Sequence, residues 1–258
     1  LKLGGSAVTV KEKPFTPNEE NIRRLAGEIK KANVSRLIVI HGGGSFGHPL
    51  ADKYNIANGF TDSGQLIGFV ETHEAMVSLN RLIVSALIAQ GIPAFGMPPS
   101  SFMLIRKNKA QMLNPEPLTS AIEIGLTPVL YGDVAFDLEK GFNILSGDKI
   151  AALLAVKMGA KRIVMVADVD GIFTNDPKAD PSARLIRYLN LDDMQHLRVK
   201  IGRPRTPDVT GGMLGKVLEL VGPIERGIEA VIVNGTKPDR VYRALKGEEF
   251  VGTRITKT

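Results

Sequence analysis

Short β-rich apolar runs alternate along the chain with stretches whose apolar residues recur at helical spacing, and many of the runs end in glycine. That alternation predicts parallel βαβ units. The strands are expected at Leu1–Leu3, Arg36–Ile40, Ala94–Met97, Thr127–Leu130, Arg162–Val166 and Ala230–Val233. Leu37-Ile38-Val39-Ile40 and Ile163-Val164-Met165-Val166 are wholly apolar, so their sheet needs cover on both faces. The expected fold class is α/β, a three-layer αβα sandwich around a central, mostly parallel sheet.

Ile22, Leu25, Ala26 and Ile29 share one face of a helix over Asn18–Lys31. The longest helix is expected from about Gln65 to Gln90, stopping at Gly91 with Pro93 just beyond. Asp148–Met158 and Gly212–Arg226 are two more, the second with a kink or break at Gly222-Pro223. Phe136–Ile144 reads as a hairpin turning at Glu139-Lys140-Gly141 and laid onto the main sheet. The basic, proline-containing segment Arg198–Pro207 is expected to be a mobile loop, and no internal repeat, heptad array or low-complexity tract occurs.

Composition narrows the picture. The 258 residues are 43% hydrophobic and 23% charged, values of a globular protein, and one domain with two lobes is expected. No apolar run approaches a membrane span and no basic-then-apolar leader is visible at the start, so the cytoplasm is the expected location. Because the chain opens at Leu1 rather than methionine, a few residues of the first strand are expected to be missing. With no cysteine, any metal needs oxygen or imidazole ligands or a substrate's phosphates, which suits Mg²⁺ riding on a nucleotide. The net charge of +6 fits either a handler of polyanions or an ordinary soluble domain. Dispersed Lys and Arg residues and 5% aromatics argue against nucleic-acid binding.

Five places carry candidate chemistry. Lys2-Leu3-Gly4-Gly5-Ser6 is a strand ending in two glycines, which let backbone N–H groups approach phosphate oxygens beside a lysine charge; a plain tight turn is the other reading. His41-Gly42-Gly43-Gly44-Ser45-Phe46-Gly47-His48 holds four glycines in eight residues, against about one in fourteen in ordinary proteins. A strand, a glycine loop and a helix start form an anion cradle there. Gly42, Gly44 and Gly47 have the glycine spacing of a dinucleotide loop, but the stretch departs from that loop followed by a ribose-binding acid, and no P-loop sequence occurs. Ser146-Gly147-Asp148 places a carboxylate at a helix start, as a cap or as a holder of lysines. Asp168-Val169-Asp170-Gly171, followed by Asn175-Asp176-Pro177, sits where open parallel sheets bind ligands. Last, Asp208-Val209-Thr210-Gly211-Gly212 frees amides at a helix start, and Lys216 follows one turn in, an unfavourable place for a cation unless an anion meets it.

Taken in order, these elements resemble the amino acid kinase superfamily along nearly the whole chain, from Lys2 to Lys216 and on to Glu248–Ile255. Gly44-Ser45-Phe46-Gly47-His48 and Tyr131-Gly132-Asp133 look most like its isopentenyl phosphate kinase branch, whose members make isopentenyl diphosphate from isopentenyl phosphate and MgATP. The resemblance implies ATP and Mg²⁺ as cofactors, isopentenyl phosphate as small-molecule partner, a homodimer, an acceptor-binding lobe over 1–158 with the hairpin in it, and a nucleotide-binding lobe over 159–258. It implies that Lys2, Gly4, Gly5, Ser6 and Gly44 hold the ATP phosphates and that Lys11 stabilises the transferring group. Gly43, Gly47, His48 and Gly147 would grip the acceptor phosphate. Asp148 would orient the lysines, while Asp168, Gly212 and Lys216 serve the nucleotide. Phe69, Thr72, Val134 and Ile144 align with the apolar pocket, and equally read as plain core. His73 and His196 receive no role. A fosfomycin-type phosphonate kinase, another member of the superfamily, and a non-catalytic nucleotide sensor stay open as alternatives.

Overall fold

The computed structural model describes residues 1–175, 177, 179–194 and 212–258. Asp176, His196, the segment Arg198–Pro207 and the Asp208–Gly211 part of the last motif lie outside the described residues.

The strands are β1 (Lys2–Leu3), β2 (Val39–His41), β3 (Ala94–Gly96), β4 (Met103–Arg106), β5 (Lys109–Met112), β6 (Thr127–Tyr131), β7 (Asp133–Asp137), β8 (Gly141–Leu145), β9 (Arg162–Ala167), β10 (Ile172–Phe173), β11 (Leu185–Ile186), β12 (Tyr188–Leu189), β13 (Glu229–Asn234) and β14 (Gly252–Ile255). The helices are α1 (Gly5–Val8), α2 (Glu19–Ala32), α3 (Gly44–Lys53), α4 (Gly64–Ala89), α5 (Glu116–Glu123), α6 (Gly147–Lys157), α7 (Gly212–Glu225) and α8 (Arg240–Lys246). The main sheet has eight strands in the order β12-β14-β13-β9-β1-β2-β6-β3. The six strands expected from the sequence are its contiguous parallel part. The two unexpected strands are at one end, where β14 runs antiparallel to β13 and short β12 pairs with β14.

Alternation along the strands divides the core into two layers. Leu3, Val39, Val129, Val164, Val166, Val231 and Val233 pack with Ile22 and Leu25 of α2, Met76 and Leu79 of α4, and Val241 of α8. Ile40, Leu130, Ile163, Met165, Ala230 and Ile232 pack on the opposite side with Ile150 and Leu154 of α6 and Leu220 and Ile224 of α7. Lys2 is in register with Ile40 and Met165, so its side chain goes to the α6–α7 side.

Helix ends follow local chemistry. The Asn18 side chain accepts the Asn21 N–H at 3.2 Å to open α2, and Gly91, at φ +69°, ends the turn after α4. The break expected at Gly222-Pro223 is absent, and α7 runs through to Glu225. Pro223 lies in its last turn, so the N–H it lacks removes one bond beside an end that frays anyway. The expected hairpin forms, with Val134 opposite Ile144, but not on the main sheet: β7 and β8 belong to a second sheet ordered β5-β4-β7-β8. Among the described residues no helix is long and apolar enough to cross a membrane.

One polar tie joins α2 to the far end of the chain. Glu28, buried, accepts the amide N–H groups of Asp239, Val241 and Tyr242 at 3.0 Å each, and pairs with Arg24. It thereby caps α8 with a carboxylate where the helix dipole is positive. Glu28→Ala leaves that end without acceptors and is expected to lower unfolding free energy by about 2–3 kcal/mol in urea titrations. A change below about 0.5 kcal/mol would show the cap to be dispensable.

Candidate active site

The carboxyl ends of β1 and β2 sit side by side and feed directly into helices, and α6 begins next to them. Gly132 donates its N–H to His41 O at 2.9 Å, and a Cβ on Gly147 would lie 3.1 Å from the same oxygen. A Cβ on Gly5 would lie 2.6 Å from Gly44 Cα. Gly44, at φ +49°, is itself in the left-handed region. The glycines therefore serve packing as well: two strand-end turns pack backbone against backbone. Gly44–His48, expected as a glycine loop before a helix, already lie within α3. First-turn amides of α1, α3 and α6 thus collect at one end of the sheet, where those of Gly5, Ser6, Gly44, Gly147 and Asp148 have no intrahelical acceptor.

Beneath this end lies a buried charge cluster. Lys2 Nζ is 2.7 Å from Asp148 Oδ1 and Lys216 Nζ is 3.3 Å from Asp148 Oδ2. Burial pushes the Asp148 carboxyl up, yet the two ammoniums outweigh it and hold the group below the usual aspartate range. Asp148 stays ionised at neutral pH, and the cluster carries one excess positive charge. Lys216 thus has a protein partner as well as any ligand.

Ser6, Lys11 and Asp168 line one open cleft of about 570 Å³ with Thr9, Val10, Glu12 and Asn18. Gly4 turns there by donating to Val166 O at 2.8 Å. Gly212 starts α7, whose second turn brings Lys216 to Asp148. On the other side, Gly43 and Gly47 seat against α4, where added Cβ atoms would lie 3.1 and 2.9 Å from Met76 Sδ. His48 is half-buried in the first turns of α3. Phe69, Val134 and Ile144 join one apolar cluster with Ala51, Ile56 and Phe142, and the Phe69 ring is 5.6 Å from Phe136 and 5.5 Å from Phe142. Thr72 is buried one turn along α4, with its hydroxyl donating to Gly68 O at 2.7 Å.

His41, the other histidine flanking the loop, belongs to the core. Its Nδ1 lies 3.1 Å from Gly42 O and its Nε2 3.2 Å from Asn80 Nδ2, a pair of contacts that fixes the neutral ring with the proton on Nδ1. Burial pushes its pKa down to about 4.

The sequence pattern of the amino acid kinase family matches residues 1–234. The chain belongs to the amino acid kinase family. The isopentenyl phosphate kinase of Methanothermobacter thermautotrophicus is 39% identical to it over 99% of this chain and 98% of that protein. A solved isopentenyl phosphate kinase superposes with TM-score 0.87 at 36% identity, covering 99% of this chain and 98% of the other. The Thermoplasma acidophilum isopentenyl phosphate kinase, solved as a product complex, gives TM-score 0.80 at 29% identity, covering 98% and 97%.

Within this amino acid kinase two polar contacts escaped the sequence. Thr9 Oγ1 donates to Gly5 O at 2.9 Å and accepts from Ser45 N at 3.0 Å, bridging the two glycine turns. His73 Nδ1 lies 2.8 Å from Oδ2 of Asp133, whose carboxyl is buried at the start of β7. An acid beside the apolar strand Val134–Phe136 was the legible half of that pair; its partner, 60 residues away, was not.

The hydrogen bond that His73 donates to Asp133 raises the His73 pKa, with desolvation opposing it. A raised folded pKa gives stability that is fully present below the unfolded value of about 6.5 and is lost as pH rises through the folded one. His73→Gln is therefore expected to flatten the fall in unfolding free energy that the wild type shows from neutral to mildly alkaline pH. Identical slopes for the two proteins in denaturant titrations across that window would exclude a charged His73–Asp133 pair.

Proposed function

We propose that this amino acid kinase transfers the γ-phosphoryl group of ATP to isopentenyl phosphate, giving isopentenyl diphosphate, and that it does so in the cytoplasm. The observation that carries this reading is the Lys2–Asp148–Lys216 cluster beneath converging helix starts, with an aromatic-rich apolar cluster close by. Lys2, the first-turn amides of Gly5 and Ser6, and Gly44 hold the ATP phosphates, joined by Gly4, Asp168, Gly212 and Lys216. Gly43, Gly47, His48 and Gly147 hold the acceptor phosphate, so that 1–158 is the acceptor-binding lobe, which also lends its strand-end turns to the ATP phosphates, and 159–258 is the nucleotide-binding lobe with Asp168, Gly212 and Lys216.

Phosphoryl transfer needs alignment and charge neutralisation more than covalent help. Lys2, Lys11 and Lys216 supply positive charge to the equatorial oxygens as they pass from donor to acceptor. The acceptor phosphate, with a second pKa of about 6, is already a nucleophile near neutral pH. His48 is then a hydrogen-bond donor that positions it, not a base. A site of lysines and amides fits an anion, and among the described residues no three His, Asp or Glu side chains converge as a metal site. Mg²⁺ would arrive on the nucleotide's phosphates, where it neutralises charge. Phe69, Thr72, Val134 and Ile144 surround the five-carbon tail. Leu66, Ile67, Val70, Leu82 and Ile88, exposed along α4, supply the face of a homodimer.

Coupled ADP release with isopentenyl phosphate, fosfomycin, UMP and N-acetylglutamate tests the substrate, and isopentenyl phosphate is expected to be turned over fastest. ATP binding with no acceptor turned over would make the protein a sensor. His48→Ala is expected to raise the acceptor KM severely while ATP affinity stays within about threefold, on the order of 0.7 kcal/mol. A matching loss of ATP affinity would overturn the separation of the two phosphate sites.

A further inference from the structure

Ser45 stands in the first turn of α3, three residues before His48, and its polar groups are engaged by the segment from Thr9 to Thr16. Its N–H donates to Thr9 Oγ1 at 3.0 Å, its hydroxyl donates to Thr16 O at 3.4 Å, and its carbonyl accepts the Phe15 N–H at 3.0 Å. Thr9 and Thr16 bracket the segment that carries Lys11, which is closed on itself by Val10 N–H to Thr16 O at 2.9 Å and by the bridge between Thr9 and Pro17.

A helical carbonyl is normally taken by the N–H four residues on. For Ser45 that residue is Pro49, inside α3, which has no N–H and whose ring crowds the carbonyl it faces. The proline therefore frees the one acceptor that Phe15 uses. The Phe15 ring, half-exposed, stands edge-on to the buried Phe46 ring with centroids 6.0 Å apart, and the residue is held at φ +52°, where phenylalanine seldom sits. A contact that keeps an exposed aromatic residue in the left-handed region is a constraint on the loop around it.

We propose that Ser45, Pro49 and Phe15 form a clasp that fixes the Lys11 segment to the acceptor helix, so that Lys11 is set at the junction of donor and acceptor by the same turn that places His48. They are positioning residues acting through Lys11. The inference rests on the reading of Lys11 given under the proposed function.

A double-mutant cycle on the full-length protein tests it. Phe15→Ala, at saturating ATP and isopentenyl phosphate, is expected to lower kcat about tenfold with both KM values within about twofold, because alignment and not binding is lost. In a Lys11→Ala background the same change is expected to lower kcat by less than about twofold. Phe15→Tyr keeps the ring and is expected to retain wild-type kcat. Pro49→Ala, which gives residue 49 an N–H to compete for Ser45 O, is expected to act in the direction of Phe15→Ala and not to add to it. A full tenfold effect of Phe15→Ala in both backgrounds, or an effect confined to KM, overturns the clasp and leaves the role of Lys11 standing. If Lys11→Ala alone leaves kcat unchanged, both fall.

Discussion

A single carboxylate held between two ammoniums is the constraint on which the rest of the site depends. Asp148 and Lys2 are withdrawn from water and Lys216 is partly so, and the desolvation of such a group is as large as its internal attraction. Apolar side chains of equal volume would serve stability as well or better. The arrangement makes physical sense for a protein that must present one net positive charge to phosphates in a medium of low dielectric, where that charge acts strongly. It also dictates topology. Lys2 reaches Asp148 because β1 is central in the sheet and in register with Ile40 and Met165, and because α6 begins beside His41.

From that point the fold supplies the remaining parts at little further cost. Parallel strands end at one edge of the sheet, so the helices that follow them begin there, and their unpaired amides face a common region. Close packing of Gly5 on Gly44 brings two of those helix starts nearer than any side chain would permit. Glycine therefore acts twice: it allows the contact between turns, and the contact concentrates amide dipoles where two phosphates would meet. Phosphoryl transfer makes few other demands of a protein.

How far the sequence disclosed this is uneven for physical reasons. Arg36–Ile40 and Arg162–Val166 were legible because strands covered on both faces are apolar throughout. Gly252–Ile255, one strand in from the end of the sheet, carries Thr253 and Arg254, and β4 and β5 carry Arg106, Lys109 and Gln111 on open faces, so none shows that signal. Lys2, Asp148 and Lys216 stood out through their places beside glycine turns and helix starts. Their mutual contact is tertiary: the residues offered Asp148 as a cap or a holder of lysines, and the resemblance to known kinases favoured the second. His41 opens the glycine-rich motif in the sequence and is a neutral core residue in the structure, since period-two alternation turns it toward Asn80. Pro49, four residues after Ser45, was a signal available in one dimension that becomes informative only when Phe15 is seen to take the freed carbonyl.

On the proposed function, selection of the acceptor would rest on the two-faced character of the β7–β8 hairpin. Ala135 and Leu145 belong to the large core beneath the main sheet, whereas Val134, Phe142 and Ile144 form the small cluster with Phe69 and Ile56. One face anchors the hairpin, and the other offers only carbon to whatever lies against it. A five-carbon tail gains about 0.8 kcal/mol per carbon on leaving water, or about 4 kcal/mol in all, close to a thousandfold in affinity over a bare phosphate. A uracil or an amino acid gains far less there, because its polar groups would lose water and find no donor or acceptor on Val134, Ile144 or Phe69. On that reading, discrimination among phosphorylated acceptors would come from what the wall lacks, while the phosphate itself would be recognised by amides and charge.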